Sequence, residues 1–300
     1  MKALNVMVVA SLLVLGACSS GGEPAATRGQ EGTGSSPPRS PIESASAAAP
    51  TEGAIKGRFN IGARELSLNC VGTGSPTLVL EAGDGVPSAV MGDVVKREFS
   101  DRVRVCSYDR ANTGGSDAGA ALPRRTPEIA SDLHDLVAAA KVPGPYVMVG
   151  NSAGGMLVQA YAKTYPADVS GVVAMNPVPP WDEWAKSAFP AMTAPEREDE
   201  TAYFGGSGSS ETFDYRQISQ QIASMPAPTG VPFHMLVSTS KQCDSPDDIC
   251  GRSYPAYVEI TKALSEGWPQ GRFTQVGSGH ELYLSNPGVV VDAINEVLER

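Results

Sequence analysis

YVMVGNSAGG, residues 146–155, joins a run of four apolar residues to a glycine-rich turn that carries one serine. A continuous apolar run of this kind suits a strand buried on both faces, and residues 153–165 then read as a helix that stops at Pro166. Strand, sharp turn and helix leave two readings for Ser152: a plain glycine-rich connection, or a nucleophile held clear of the sheet. A serine hydroxyl is a weak nucleophile until a base takes its proton, and it must stand away from the backbone to meet both base and substrate. A tight strand-to-helix elbow does this but crowds the main chain. Gly150 and Gly154 would relieve that crowding. The first amides of the following helix, starting with Ala153, would face a developing oxyanion.

Outward from this stretch, short apolar strands alternate with helices. Strands are expected over 57–61, 65–71, 77–80, 103–106, 146–149, 171–175, 232–237 and 272–276. Thr126-Pro127-Glu128 opens an amphipathic helix in the usual order of cap, proline and acid, and the last helix spans about 287–298. Such alternation argues for an α/β domain with a mainly parallel sheet covered on both faces. Residues 177–228 break the rhythm: they hold Trp181, Trp184, Phe189, Tyr203, Phe204 and Tyr215 among prolines, glycines and charges, too long for an ordinary connection. They read as a cap over the strand ends, or else as a surface insertion with no part in binding.

With 41% hydrophobic residues in 300, the chain can bury one sizeable core. A formal charge of −10 without any basic run argues against nucleic-acid binding. Residues 1–17 have one early lysine and an apolar run from Val6 to Leu15, too short for the ~20 residues that span a bilayer, and read as an export signal. Leu15-Gly16-Ala17-Cys18 resembles a bacterial lipobox, which implies cleavage before Cys18, a lipid on that cysteine and anchoring to the outer face of the cell membrane. Residues 18–54, rich in Gly, Ser, Pro, Ala and Thr, read as a disordered tether, and 55–300 as the folded domain. Export makes disulfides the natural state of Cys70, Cys106, Cys243 and Cys250, with three pairings open; zinc finds no CxxC spacing or nearby histidine. Nothing points to a metal or an organic cofactor.

Of the three histidines, His134 lies on a helix flank and His234 inside an apolar strand, whereas His280 sits in the loop Gly277-Ser278-Gly279-His280 just after a strand. A loop at a strand end is where such sheets carry function, so His280 is the expected general base.

The order of Ala82-Gly83-Asp84-Gly85, Tyr108-Asp109-Arg110, GNSAGG and the late Gly-His loop, each after a strand, resembles the α/β-hydrolase superfamily over residues 55–300. The likeness is to bacterial serine esterase-like members with a cap after the sixth strand. It implies an eight-stranded α/β-hydrolase fold and a Ser-His-Asp triad hydrolysing a small-molecule carboxylic ester through an acyl-enzyme. It also implies a second oxyanion amide at Asp84, although Ala82 stands where relatives carry histidine. Superfamily members usually place the acid after the seventh strand, where Asp244 is the first carboxylate and Asp247 and Asp248 follow; Asn176 occupies the alternative position after the sixth. The superfamily's strand order sets the second strand beside the fourth, which implies Cys70–Cys106, and leaves Cys243–Cys250 to close a short loop around the acid. In relatives the Asp109-Arg110 pair mostly braces loops near the nucleophile. A peptidase or thioesterase on the same fold, and a non-catalytic lipid-anchored binding module, are the alternatives.

Overall fold

The computed structural model describes residues 53–119, 123–207, 209–239 and 243–300. The expected signal at 1–17, the lipid-bearing Cys18 and all but the last two residues of the tether at 18–54 lie outside the described residues.

Eight strands form one sheet: β1 (Ile55–Asn60), β2 (Glu65–Val71), β3 (Thr77–Glu81), β4 (Val105–Tyr108), β5 (Tyr146–Asn151), β6 (Val169–Met175), β7 (Phe233–Ser238) and β8 (Gly271–Val276). Their spatial order is β1-β2-β4-β3-β5-β6-β7-β8. β1 and β2 run antiparallel, and β2 meets β4 antiparallel; every other neighbouring pair is parallel. The sheet is therefore mixed, with a parallel body and an antiparallel edge. β4 starts two residues later than the sequence pattern suggests. The amides of Arg102 and Val103 bond to Phe99 O at 2.9 and 3.0 Å, so these residues finish the turn that follows a helix instead of joining the sheet.

That helix is α1 (Ala89–Phe99), followed in chain order by α2 (Thr126–Ala139) and α3 (Ala153–Thr164). The insertion after β6 contains α4 (Trp181–Ala188), α5 (Ala194–Ala202) and α6 (Tyr215–Ser224). Between β7 and β8 lies α7 (Ile249–Glu266), and the chain closes with α8 (Leu282–Ser285) and α9 (Pro287–Leu298). Side chains of β5 alternate between two cores, as a period of two requires. Met148 packs with Leu133, Val137 and Val158 of α2 and α3. Val147 and Val149 pack with Met91 and Val95 of α1 and Ile294 of α9. A third cluster joins the cap to the body: Phe213, Tyr215 and Ile218 close over Met156 and Leu157 of α3.

Cys70 and Cys106 are register partners across β2 and β4 and form a disulfide, with their Cα atoms 4.0 Å apart. Cys243 and Cys250 form the second disulfide. No helix among the described residues is long and apolar enough to cross a membrane.

Candidate functional site

Ser152 stands between the last residue of β5 and the first of α3 with φ 57° and ψ −122°, a conformation an L-residue adopts only when its surroundings enforce it. Its amide donates to Met175 O at 2.9 Å and its carbonyl accepts the amide of Met156 at 3.2 Å, so the elbow is tied to β6 and to its own helix. A Cβ on Gly150 would lie 2.2 Å from Gly154 O, and one on Gly154 would lie 2.1 Å from Glu81 O. The turn is closed so tightly against β3 that only glycine fits at either place. Gly155 adds a third close approach, 2.8 Å from Met175 O, that the sequence pattern had not singled out.

β3 ends in the loop 82–85, which runs beside the serine: a Cβ on Gly83 would lie 3.6 Å from that of Ser152. Arg110 holds this loop from beneath. Its Nη1 donates to Ala82 O at 2.9 Å and to Glu81 Oε2 at 2.8 Å, its Nη2 to Gly83 O at 2.7 Å, and its Nε to Glu211 Oε2 at 2.9 Å. The Gly83–Asp84 peptide is trans, so the Asp84 N–H points to the side opposite the carbonyl that the guanidinium grips. Glu211, from the cap, accepts the Gly85 amide at 2.9 Å, and its own amide donates to Asp84 Oδ1 at 3.0 Å. Tyr215 OH donates to Asp84 Oδ2 at 2.7 Å, and Tyr108 donates to Glu81. Burial opposes charge on Arg110, but Glu211 and Glu81 outweigh it and raise its pKa well above the ordinary value. Burial raises the pKa of Glu81, and Arg110 offsets that only in part. Asp109 braces the same region through the amide and hydroxyl of Ser88 and the amide of Gly115.

His280 reaches the site from the loop after β8. Asn176, at a positive φ of 40° just past β6, donates through Nδ2 to His280 O at 2.7 Å and to Ser238 Oγ at 2.8 Å. Its Oδ1 accepts the Ser238 amide at 2.8 Å, and Ser238 Oγ donates to Gly279 O at 2.6 Å. Three strand ends thus fix the histidine loop through one amide side chain, a positioning role that becomes visible only when 176, 238 and 280 meet in space. Burial holds the imidazole pKa below its ordinary 6.5, with Glu281 partly opposing the shift.

The structure brings Ser152, Asn176 and His280 onto one cavity of about 350 Å³, a volume suited to a small ligand. Ala153 is fully buried at the start of α3. Asp244 is exposed and does not line the cavity, although Cys250, the far end of its disulfide-closed loop, does. Asp248 is engaged at the N-terminus of α7, where its two oxygens accept the amides of Gly251 at 2.7 Å and Ser245 at 2.8 Å. Asp247 is exposed. His134 stacks on Tyr165 with a centroid distance of 4.3 Å, and His234 in β7 bonds Thr274 Oγ1 at 2.9 Å; neither lines the cavity.

The cap and α7 supply the remaining walls, among them Trp184, Tyr203, Phe204, Tyr254 and Tyr257, together with Glu200 of α5. Trp184 Nε1 donates to Glu200 Oε1 at 2.9 Å. Burial raises the carboxyl pKa of Glu200, and the indole bond partly offsets the rise. Neither Glu200 nor α7 stood out in the sequence: Glu200 sits in the run Glu-Arg-Glu-Asp-Glu, which reads as a solvated helix face.

Residues 87–207 match the family model described as alpha/beta hydrolase fold. A Hormonema carpetanum protein named "Probable transporter efuK" is 30% identical over 128 residues, 40% of this chain and 18% of its own length. The chain spans less than half the length of the curated relatives it matches. Among solved structures, a thermophilic esterase from Thermogutta terrifontis superposes with a TM-score of 0.54 at 19% identity, covering 81% of this chain and 98% of that one. The enol-lactonase from Burkholderia xenovorans LB400 gives 0.56 at 16% identity, covering 81% and 100%.

Proposed function

We propose, from the α/β-hydrolase fold that this chain has, that it is a serine hydrolase that cleaves a carboxylic ester. The observation that carries the reading is Ser152 on its enforced elbow, opening into the same cavity as His280. Ser152 Oγ attacks the ester carbonyl and passes its proton to His280. The tetrahedral oxyanion is received by the amides of Ala153 and Asp84. His280 returns the proton to the leaving alcohol, and a water activated by the same imidazole then releases the acid from the acyl-serine.

The low imidazole pKa favours this role, since the neutral form is the base. Asp244 is the acid of the reading, on the loop that the Cys243–Cys250 disulfide closes, while Asp248 serves as the cap of α7. Export and attachment to the outer face of the membrane through a lipid on Cys18 belong to the same proposal and rest on the sequence of residues 1–18.

The test is a panel of short- and long-chain p-nitrophenyl esters alongside thioester and peptide substrates, assayed with the wild type and Ser152→Ala. Ester hydrolysis that falls by at least about 10⁴-fold in the variant supports the reading. Turnover confined to thioesters or peptides redirects it to those classes. A folded protein inert toward all of them favours a binding module.

A further inference from the structure

Glu200 is the only acidic side chain among the described residues that line the cavity, and neither lysine nor arginine faces it there. Two of the cap's other carboxylates have cationic partners: Glu196 meets Arg252 at 2.6 Å, and Glu211 is gripped by Arg110. Glu200 lines the cavity and accepts the Trp184 indole N–H on Oε1, the single hydrogen bond to its carboxylate among the described residues. The indole contact needs an acceptor and not a charge; glutamine would serve it equally. A half-buried carboxyl without a counter-charge is costly to ionise, so an acid at this place calls for an explanation.

The surroundings supply one. Trp184, Tyr203, Phe204 and Tyr257 line the same cavity, and ring faces attract cations, more strongly once water is excluded. The rings are braced edge to face, Trp184 against Tyr257 and Tyr203 against Phe204, at interplanar angles of 85° and 82°.

We propose that Glu200 and these aromatic side chains form a subsite for an ammonium-type group carried by the ester substrate. This rests on the serine-hydrolase reading and names its substrate class. Carboxylate and ring faces together would distinguish a quaternary or protonated amine from a neutral group of equal shape.

The test compares two isosteric p-nitrophenyl esters, of 4-(trimethylammonio)butanoate and of 5,5-dimethylhexanoate, with each rate divided by the uncatalysed hydrolysis rate. The wild type should favour the charged ester about tenfold or more in kcat/KM, and in Glu200→Gln the ratio should fall to about one. A wild-type ratio of one or below, or an unchanged ratio in the variant, overturns the subsite. Should the variant fail to fold, competitive inhibition of the wild type decides: phenyltrimethylammonium should inhibit at concentrations where neutral tert-butylbenzene does not, and equal potency overturns the subsite. If the wild type hydrolyses neither ester, the p-nitrophenyl, thioester and peptide panel judges the catalytic reading separately. Calorimetry with phenyltrimethylammonium then judges the subsite alone: saturable binding supports it and no binding overturns it.

Discussion

The two walls of the cavity are built on opposite principles. On the sheet side, hydrogen bonds over-determine the geometry: Arg110 alone holds two loop carbonyls and two carboxylates, and Asn176 ties three strand ends together. On the cap side the wall is largely aromatic and carries one carboxylate with a single hydrogen bond to the protein among the described residues. The first arrangement suits chemistry, which needs donors and base set in place before the substrate arrives. The second suits selection of a substrate by shape and charge. Glu211 is where the two meet, because a residue of the cap holds the loop that follows β3.

The strongest way to break this division is through the acid. If Asp244 is the acid, as proposed, Asp244→Asn should lower kcat/KM by about 10³ to 10⁴ with little change in stability, because the imidazole would lose its supporting charge. A loss below tenfold would take Asp244 out of the sheet-side machinery.

Next in size is Arg110→Ala. It leaves Glu81 buried without its cation and Glu211 with only Arg124, 3.9 Å away, and should cost about 3 to 5 kcal/mol in urea unfolding. A change under about 1 kcal/mol would mean that the network is dispensable. Joint replacement of Cys243 and Cys250 by serine should cost about 2 to 3 kcal/mol in the chain-entropy view, and should lower activity as well if the loop they close carries the acid. Equal activity with lower stability would separate the disulfide from the site.

The smallest effect concerns pH. The folded pKa of His280 lies below 6.5, so the neutral base persists into mildly acidic solution, and the acid limb of kcat/KM should have its midpoint below 6.5. The same shift makes the unfolded chain the better proton acceptor, so this group's contribution to stability is present above 6.5 and is lost as pH falls from there through the folded pKa. A midpoint at or above 6.5 would contradict a buried base.

The parts legible in the sequence were those whose cause is local. YVMVG requires a strand buried on both faces, and the glycines around Ser152 mark a turn where a Cβ would strike backbone. Cys70 and Cys106 could be paired because the strand order of a known fold puts their strands side by side. Arg110, Arg124 and Glu211 were not legible as one unit, since charged residues far apart in sequence read as solvent-facing until the fold buries them together. Helix α7 was hidden by Gly251 and Pro255 within its span, and its aromatic contribution to the cavity was hidden with it. Glu200 went unnoticed because only the cavity distinguishes it from the acidic residues beside it in α5.

The central claim is that Ser152 is a nucleophile activated within this cavity. Reaction with a fluorophosphonate followed by peptide mass mapping tests it most directly. The account predicts one covalent adduct, located on Ser152, that is absent from the Ser152→Ala protein and slowed in the His280→Ala protein. Labelling of a different residue, or no labelling of a folded wild type, would contradict it.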